Sequence, residues 1–236
     1  MNAATLPERL YAYLPVLLDG AAYTLLVSAV AIAAGFGLGA LLLGLSLVRG
    51  GRGPLPALVA AYVSFFRGTP MLVQLLMMFY LPAAMGLDLP PLLAAMIAMA
   101  ANSAAFQCEI LRAGLSAVPA GQVEAALSFG ISPRQVFRYV QLPQVARAVW
   151  PAVVSEAIDV IKNSAIVSVI AVADLARGGR QIVAANFRPL EVYLAVGGMY
   201  LLMTGAVFLA GTLIARRMGM GGRISARVIN RRAIRT

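Results

Sequence analysis

Glu156, Asp159, Lys162 and Asn163 interrupt an otherwise apolar stretch from Trp150 to Val172. On a helix, Glu156, Asp159 and Asn163 fall at i, i+3 and i+7 and share one face. Two carboxylates on one face suit a cationic ligand, or could share a proton as the acidic pair of an acid protease does. Lys162 is three residues from Asp159, so the alternative is an internal ion pair that neutralises Asp159. A second unusual run is Arg67-Gly68-Thr69-Pro70, which breaks an apolar stretch. Pro70 has no N–H and disfavours a helical Thr69, so carbonyls of the preceding turn lose their partners. The break either flanks a polar cavity or is a plain kink from which Arg67 reaches an interface. Asn102, Ser103 and Gln107 read as hydrogen bonds between helices, worth about 0.6 kcal/mol on average.

The residue inventory narrows the chemistry. There is no histidine and one cysteine, Cys108. That excludes an internal disulfide and a Cys/His metal site, and removes the usual neutral-pH proton carrier. No nucleophile flanked by glycines and no Gly-x-x-x-x-Gly-Lys-Ser/Thr phosphate loop is present, so neither hydrolase chemistry nor ATP binding is expected on this chain.

Composition sets the solvent. Of 236 residues, 61% are hydrophobic and 12% charged, against roughly 45–50% and about 25% in soluble globular chains. A soluble body could not hide that much apolar surface, so most of this chain is predicted to lie in a bilayer. The net charge of +10 comes almost wholly from arginine, Lys162 being the sole lysine. The arginines cluster between and after apolar runs. That pattern orients membrane helices rather than binding nucleic acid.

A spanning helix needs about 20 apolar residues. Five stretches qualify, at about 22–48, 54–82 (broken at 67–70), 90–110, 150–172 and 192–215. The fold class expected is an all-α integral membrane protein with five crossings. Residues 1–21 form an extracytoplasmic N-terminal segment without a cleaved-leader pattern, 22–215 the membrane domain, and 216–236 a basic tail. Twelve arginines follow spans one, three and five, and four lie on the opposite side. The N-terminus is therefore expected outside and the C-terminus in the cytoplasm. Gly35 and Gly39, four residues apart, suit close helix packing.

Residues 118–144 are too polar and too short to cross. They are expected to form two short helices on the cytoplasmic side. The first follows Pro119 and has Val123, Ala126 and Leu127 on its apolar face. Gly130 suits the left-handed residue that ends it. Ser132 caps the second, with Pro133 at its first position and Gln135 closing a capping box. Val136, Phe137 and Val140 form its apolar face, and Pro143 is expected to end it. An apolar stripe facing water needs a partner, either the rest of the chain, lipid headgroups or a separate cytoplasmic protein.

Glu124-Ala125-Ala126, three residues, Gly130, nine residues, Val140, one residue and then Leu142-Pro143 resemble the EAA loop of binding-protein-dependent ABC importer permeases. Val140 stands where isoleucine is more usual. Phe66-Arg67-Gly68-Thr69-Pro70 with Gln74, Glu109-Ile110-Leu111-Arg112-Ala113-Gly114, Lys162-Asn163-Ser164 and Phe187-Arg188-Pro189 are similar to the polar amino-acid permeases of the histidine, glutamine and arginine type. Members commonly carry an acidic residue after the span-four lysine, where this chain has Asn163.

The resemblance implies that Glu124, Ala125, Ala126, Gly130, Leu142 and Pro143 form a coupling loop gripped by an ATPase. It implies a substrate path through Glu156, Asp159, Asn163, Lys162, Arg67 and Gln74. It also implies no cofactor on this chain, since ATP and Mg would sit on a dimer of cytoplasmic ABC ATPases. The other implied partners are a second permease chain, identical or sister, and an extracytoplasmic amino-acid-binding protein. The cargo would be a polar amino acid moved by alternating access across a bacterial inner membrane. The other readings are a stand-alone channel or carrier, which leaves the loop unexplained, and an intramembrane acid protease.

Overall fold

The computed structural model describes residues 6–219, and all regular structure among these is helical. Five Arg residues assigned to the basic tail (Arg223, Arg227, Arg231, Arg232, Arg235) lie outside the described residues; Arg216 and Arg217 close the last helix.

Helix α1 (Leu6–Ser46) contains 41 residues and is about 60 Å long at 1.5 Å per residue. That is roughly twice the hydrocarbon thickness. The expected extracytoplasmic segment is thus helical from Leu6 onward and continuous with the first span. Its early turns are held by tertiary contacts: Arg9 donates from Nε and Nη2 to the two carboxylate oxygens of Glu191 at 3.2 and 3.0 Å. Leu17 packs in a cluster with Leu175, Ile182, Val192 and Val196.

The second expected span is two helices, α2 (Pro54–Gly68) and α3 (Met71–Ala84), which meet at 111°. Each leg is about 21–23 Å long and falls short of a bilayer by itself. The carbonyls freed by Pro70 are met locally and by a neighbour. Gln74 Nε2 donates to Phe66 O (2.9 Å), Thr69 O (3.0 Å) and Thr69 Oγ1 (2.8 Å). Asn102 Nδ2 donates to Gln74 Oε1 at 2.8 Å and to Phe66 O at 3.3 Å.

Helix α4 (Pro91–Ser116) is the central post. It is rich in alanine, and α1 approaches its backbone closely. A Cβ on Gly35 would lie 2.7 Å from that of Ser103, and one on Gly39 would lie 2.7 Å from that of Gln107. The main core joins Val27 and Ala31 of α1, Leu75 of α3, and Ala94, Ala98 and Met99 of α4.

The predicted loop forms α5 (Ala120–Ser128) and α6 (Pro133–Val136). Gly130 has φ +79°. Its N–H donates to Leu127 O at 2.9 Å, and Ile131 N–H donates to Ala126 O at 3.3 Å, the paired bonds of a Schellman ending. Ser132 and Gln135 make the expected reciprocal capping box. The expectation that Pro143 ends the second helix is wrong. A π-helical turn over Phe137–Gln141 leads straight into α7 (Leu142–Asn163). Pro143 sits in the first turn of α7, where its missing N–H costs least. Leu142 N–H donates instead to Phe137 O, five residues back, and this wider turn carries the chain past the proline ring.

After Asn163 the chain tightens into a 3-10 segment, Ser164–Ile170. The Ser164 and Ser168 hydroxyls donate to Ile161 O and Ala165 O at 2.7 and 2.6 Å. An unexpected helix follows, α8 (Leu175–Asn186), and then α9 (Pro189–Arg217). Asp174 caps α8, accepting from the N–H groups of Ala176 and Arg177 at 3.2 and 3.0 Å. The buried residues of α8, Leu175, Gly178, Gly179 and Ile182, have helical spacing, a signal legible in the sequence. Trp150 Nε1 donates to Gly211 O at 2.9 Å and ties α7 to α9. Among the described residues, three helices (α1, α4, α9) are long and apolar enough to cross a membrane, or four crossings result if α2 and α3 count as one bent span.

Candidate functional site

Helix α7 joins the two regions singled out by their residue types. At its far end Glu156, Asp159, Lys162 and Asn163 line a cavity of about 410 Å³ with Met71, Asn102 and Phe106. Asn102 comes from α4 and Met71 is the first residue of α3, so three helices build the space. Glu156 Oε1 accepts from Ser103 Oγ at 3.0 Å. Lys162 Nζ and Asp159 Oδ1 lie 2.6 Å apart, yet both side chains are 56% exposed. The ion pair therefore stands in the cavity opening, open to exchange with a ligand, and is not sealed in a core.

Arg67 and Gln74 do not join this cavity. Gln74 is buried and its amide is engaged at the α2–α3 break. Arg67 turns to Glu109 (Nη1–Oε2 3.7 Å) and lies over the Phe106 ring at 5.6 Å. Arg112 Nε also donates to Glu109 Oε1, at 2.9 Å. Asn102 combines a helix–helix hydrogen bond with a place in the cavity wall.

At the near end of α7 the loop has a small core of its own, in which Ala126 and Val136 are buried. Gln144 Nε2 donates to Gln122 Oε1 and Val140 O, both at 2.8 Å, and fastens α5 to the start of α7. Glu124, Ala125, Gly130, Leu142 and Pro143 face outward. So do Phe129 (87% exposed), Tyr139 (69%) and Phe137 (48%). Such an apolar patch on a polar loop marks a contact surface.

A helical membrane protein with a charged cavity at one end of a helix and an exposed apolar loop at the other has the parts of a transporter's transmembrane subunit. The chain belongs to the family described as "Binding-protein-dependent transport system inner membrane component", whose profile matches residues 35–220. It is 34% identical over 217 residues to the arginine transport system permease protein ArtQ of Bacillus subtilis (strain 168), covering 92% of this chain and 96% of that protein. It is 35% identical over 207 residues to the glutamine transport system permease protein GlnP of Escherichia coli (strain K12), covering 87% and 94%. Among solved structures it is similar to an amino acid ABC transporter crystallised with histidines, with a TM-score of 0.83, 34% identity, and coverage of 92% and 100%. The protein is an inner-membrane transport component. A stand-alone channel and an acid protease are both set aside by this membership.

Proposed function

We propose that this chain is the permease subunit of an ATP-driven importer for a polar amino acid, with a cationic side chain favoured. The observation that carries the proposal is the continuity of α7. One helix of 22 residues, about 33 Å long, joins the loop to Glu156, Asp159 and Asn163. A force applied at the loop by an ATPase is transmitted along that rigid rod to the residues that would hold cargo. Similarity to permeases named for arginine and glutamine supports the cargo class.

The cavity suits such cargo. Glu156 and Asp159 offer negative charge to an ammonium or guanidinium group. The positive end of α3, at Met71, opens on the same space and favours a carboxylate. Asp159 would bind cargo by exchanging its Lys162 contact for the ligand. In this reading α7 is a crossing whose charged face looks inward, and α2–α3 is a broken crossing beside the path. That makes five crossings, with the N-terminus outside and the loop in the cytoplasm. Glu124, Ala125, Ala126, Gly130, Leu142 and Pro143 form the surface gripped by an ABC ATPase dimer, which holds ATP and Mg. A second permease chain encloses the path, and an extracytoplasmic amino-acid-binding protein delivers cargo.

The test is ATP hydrolysis by the reconstituted complex, screened over amino acids with the binding protein present. Arginine, lysine, histidine or glutamine is expected to stimulate hydrolysis. Asp159→Asn is expected to lower uptake of a cationic amino acid at least about tenfold, while costing stability at most about 1 kcal/mol because the pair is exposed. Equal uptake by Asp159→Asn and Glu156→Gln would remove both residues from the path.

A further inference from the structure

The Glu156 cavity is the first of three neighbouring cavities that share lining residues. Along α4, Asn102, Phe106, Glu109, Ala113 and Ala117 fall on one helical face. Phe106 lines both the 410 Å³ cavity and a second of about 360 Å³. Arg67 and Glu109 line that second cavity and a third, of about 530 Å³, which opens at the glycine turn Gly51–Gly53. The middle cavity is otherwise walled by small or apolar residues of α4 and α7, among them Ala113, Gly114, Ala148 and Ala152. It runs from mid-helix to Ala117, the cap of α4 just before the loop. The only charged residues in its wall are Arg67 and Glu109.

We propose that Phe106, with Arg67 stacked on its ring and held by Glu109, is the gate through which cargo leaves the Glu156 cavity toward the docking-loop side. This rests on the transport reading above. The contacts have the asymmetry a gate needs. Glu109 is anchored by Arg112 at 2.9 Å, whereas Arg67 reaches it only at 3.7 Å and is 46% exposed. Arg67 can therefore swing away without leaving Glu109 unpaired. A departing carboxylate can take the place of Glu109 on the guanidinium, as a planar fork that binds one carboxylate will bind another. Phe106 then loses the cation resting on it and is free to change rotamer. Because Arg67 lies in the last turn of α2 and α3 begins at the cavity, a small change at the break moves both sides of the gate.

The test uses the whole complex with its ATPase, in vesicles that expose the docking loop outward. Cys108, the sole cysteine, is replaced by alanine, and Asn163→Cys places a thiol in the cavity. The rate of its modification by a membrane-impermeant cationic methanethiosulfonate is measured without nucleotide and after trapping with ATP and vanadate. A gate open 10% of the time or less gives at least about a tenfold rise when removed. Phe106→Ala and Arg67→Gln are expected to show that rise in the state where the parent labels slowly. Phe106→Trp is expected to slow labelling, and Phe208→Ala on the outer face of α9 to leave it unchanged. Rates within about twofold of the parent for the Phe106 and Arg67 variants in both states would overturn the proposal. Labelling does not depend on the cargo, so failure of every amino acid to stimulate hydrolysis would sink the transport reading without deciding the gate.

Discussion

Gln74 shows how one side chain makes a broken helix tolerable in lipid. Its amide supplies hydrogen to Phe66 O and Thr69 O and accepts from Asn102. In hydrocarbon no water could do this. Gln74→Ala takes the donor from Thr69 O and leaves Phe66 O to the longer bond from Asn102, at 3.3 Å, a loss of about 1–3 kcal/mol for an acceptor left unpaired away from water. The purified protein is expected to melt several degrees lower in detergent, and Gln74→Glu is expected to melt lower too because a carboxylate cannot donate to a carbonyl. An unchanged melting temperature for Gln74→Ala would mean that other groups satisfy the break. The spacing of Pro70 and Arg67 announced that a break exists. Which residue repairs it depended on the fold, since Asn102 arrives from another helix.

At the scale of elements, the loop and α7 act as one lever in the proposed transport reading. Gly130 sits at φ +79°, where an L-residue costs about 1–2 kcal/mol and a β-branched one more. Nothing lies within 4 Å of a Cβ built there, so the penalty is backbone strain and not a clash. Gly130→Val is expected to re-aim α5 relative to α6 while leaving membrane insertion intact. ATP hydrolysis by the complex should then lose its dependence on cargo, and Gly130→Ala should show a milder loss. Tight coupling in Gly130→Val would show that the turn tolerates another conformation. The π-helical turn serves the same lever by letting the loop continue into α7 without the stop that Pro143 was expected to impose.

For the whole molecule, the proposed five-crossing topology ties the charge distribution to how the bundle sits. Twelve arginines follow its spans one, three and five and four lie on the opposite side, a bias that favours a cytoplasmic loop and C-terminus. A thiol placed at the loop tip by Phe129→Cys, with Cys108 replaced by alanine, is expected to react with an impermeant reagent only from the cytoplasmic side. Reaction from the outside would invert the topology. The large exposed apolar area of α9, including Leu201, Leu202 and Phe208, fits a helix that meets lipid or a second chain over most of its surface.

Some of this was present in the residues alone. Apolar run length and low charge dictated membrane helices, because a run of about 20 apolar residues has no other economical solvent. Local rules also set the capping box at Ser132 and the left-handed turn at Gly130, since both depend only on residues a few positions apart. The shared face of Glu156, Asp159 and Asn163 followed from helical periodicity. Tertiary structure decided the rest. It bent α2 against α3 by 111°, extended α1 back to Leu6 through contacts with α8 and α9, and sent Arg67 to Glu109 instead of the Glu156 cavity. Each outcome turns on partners dozens of residues away, whose proximity arises only when the helices pack.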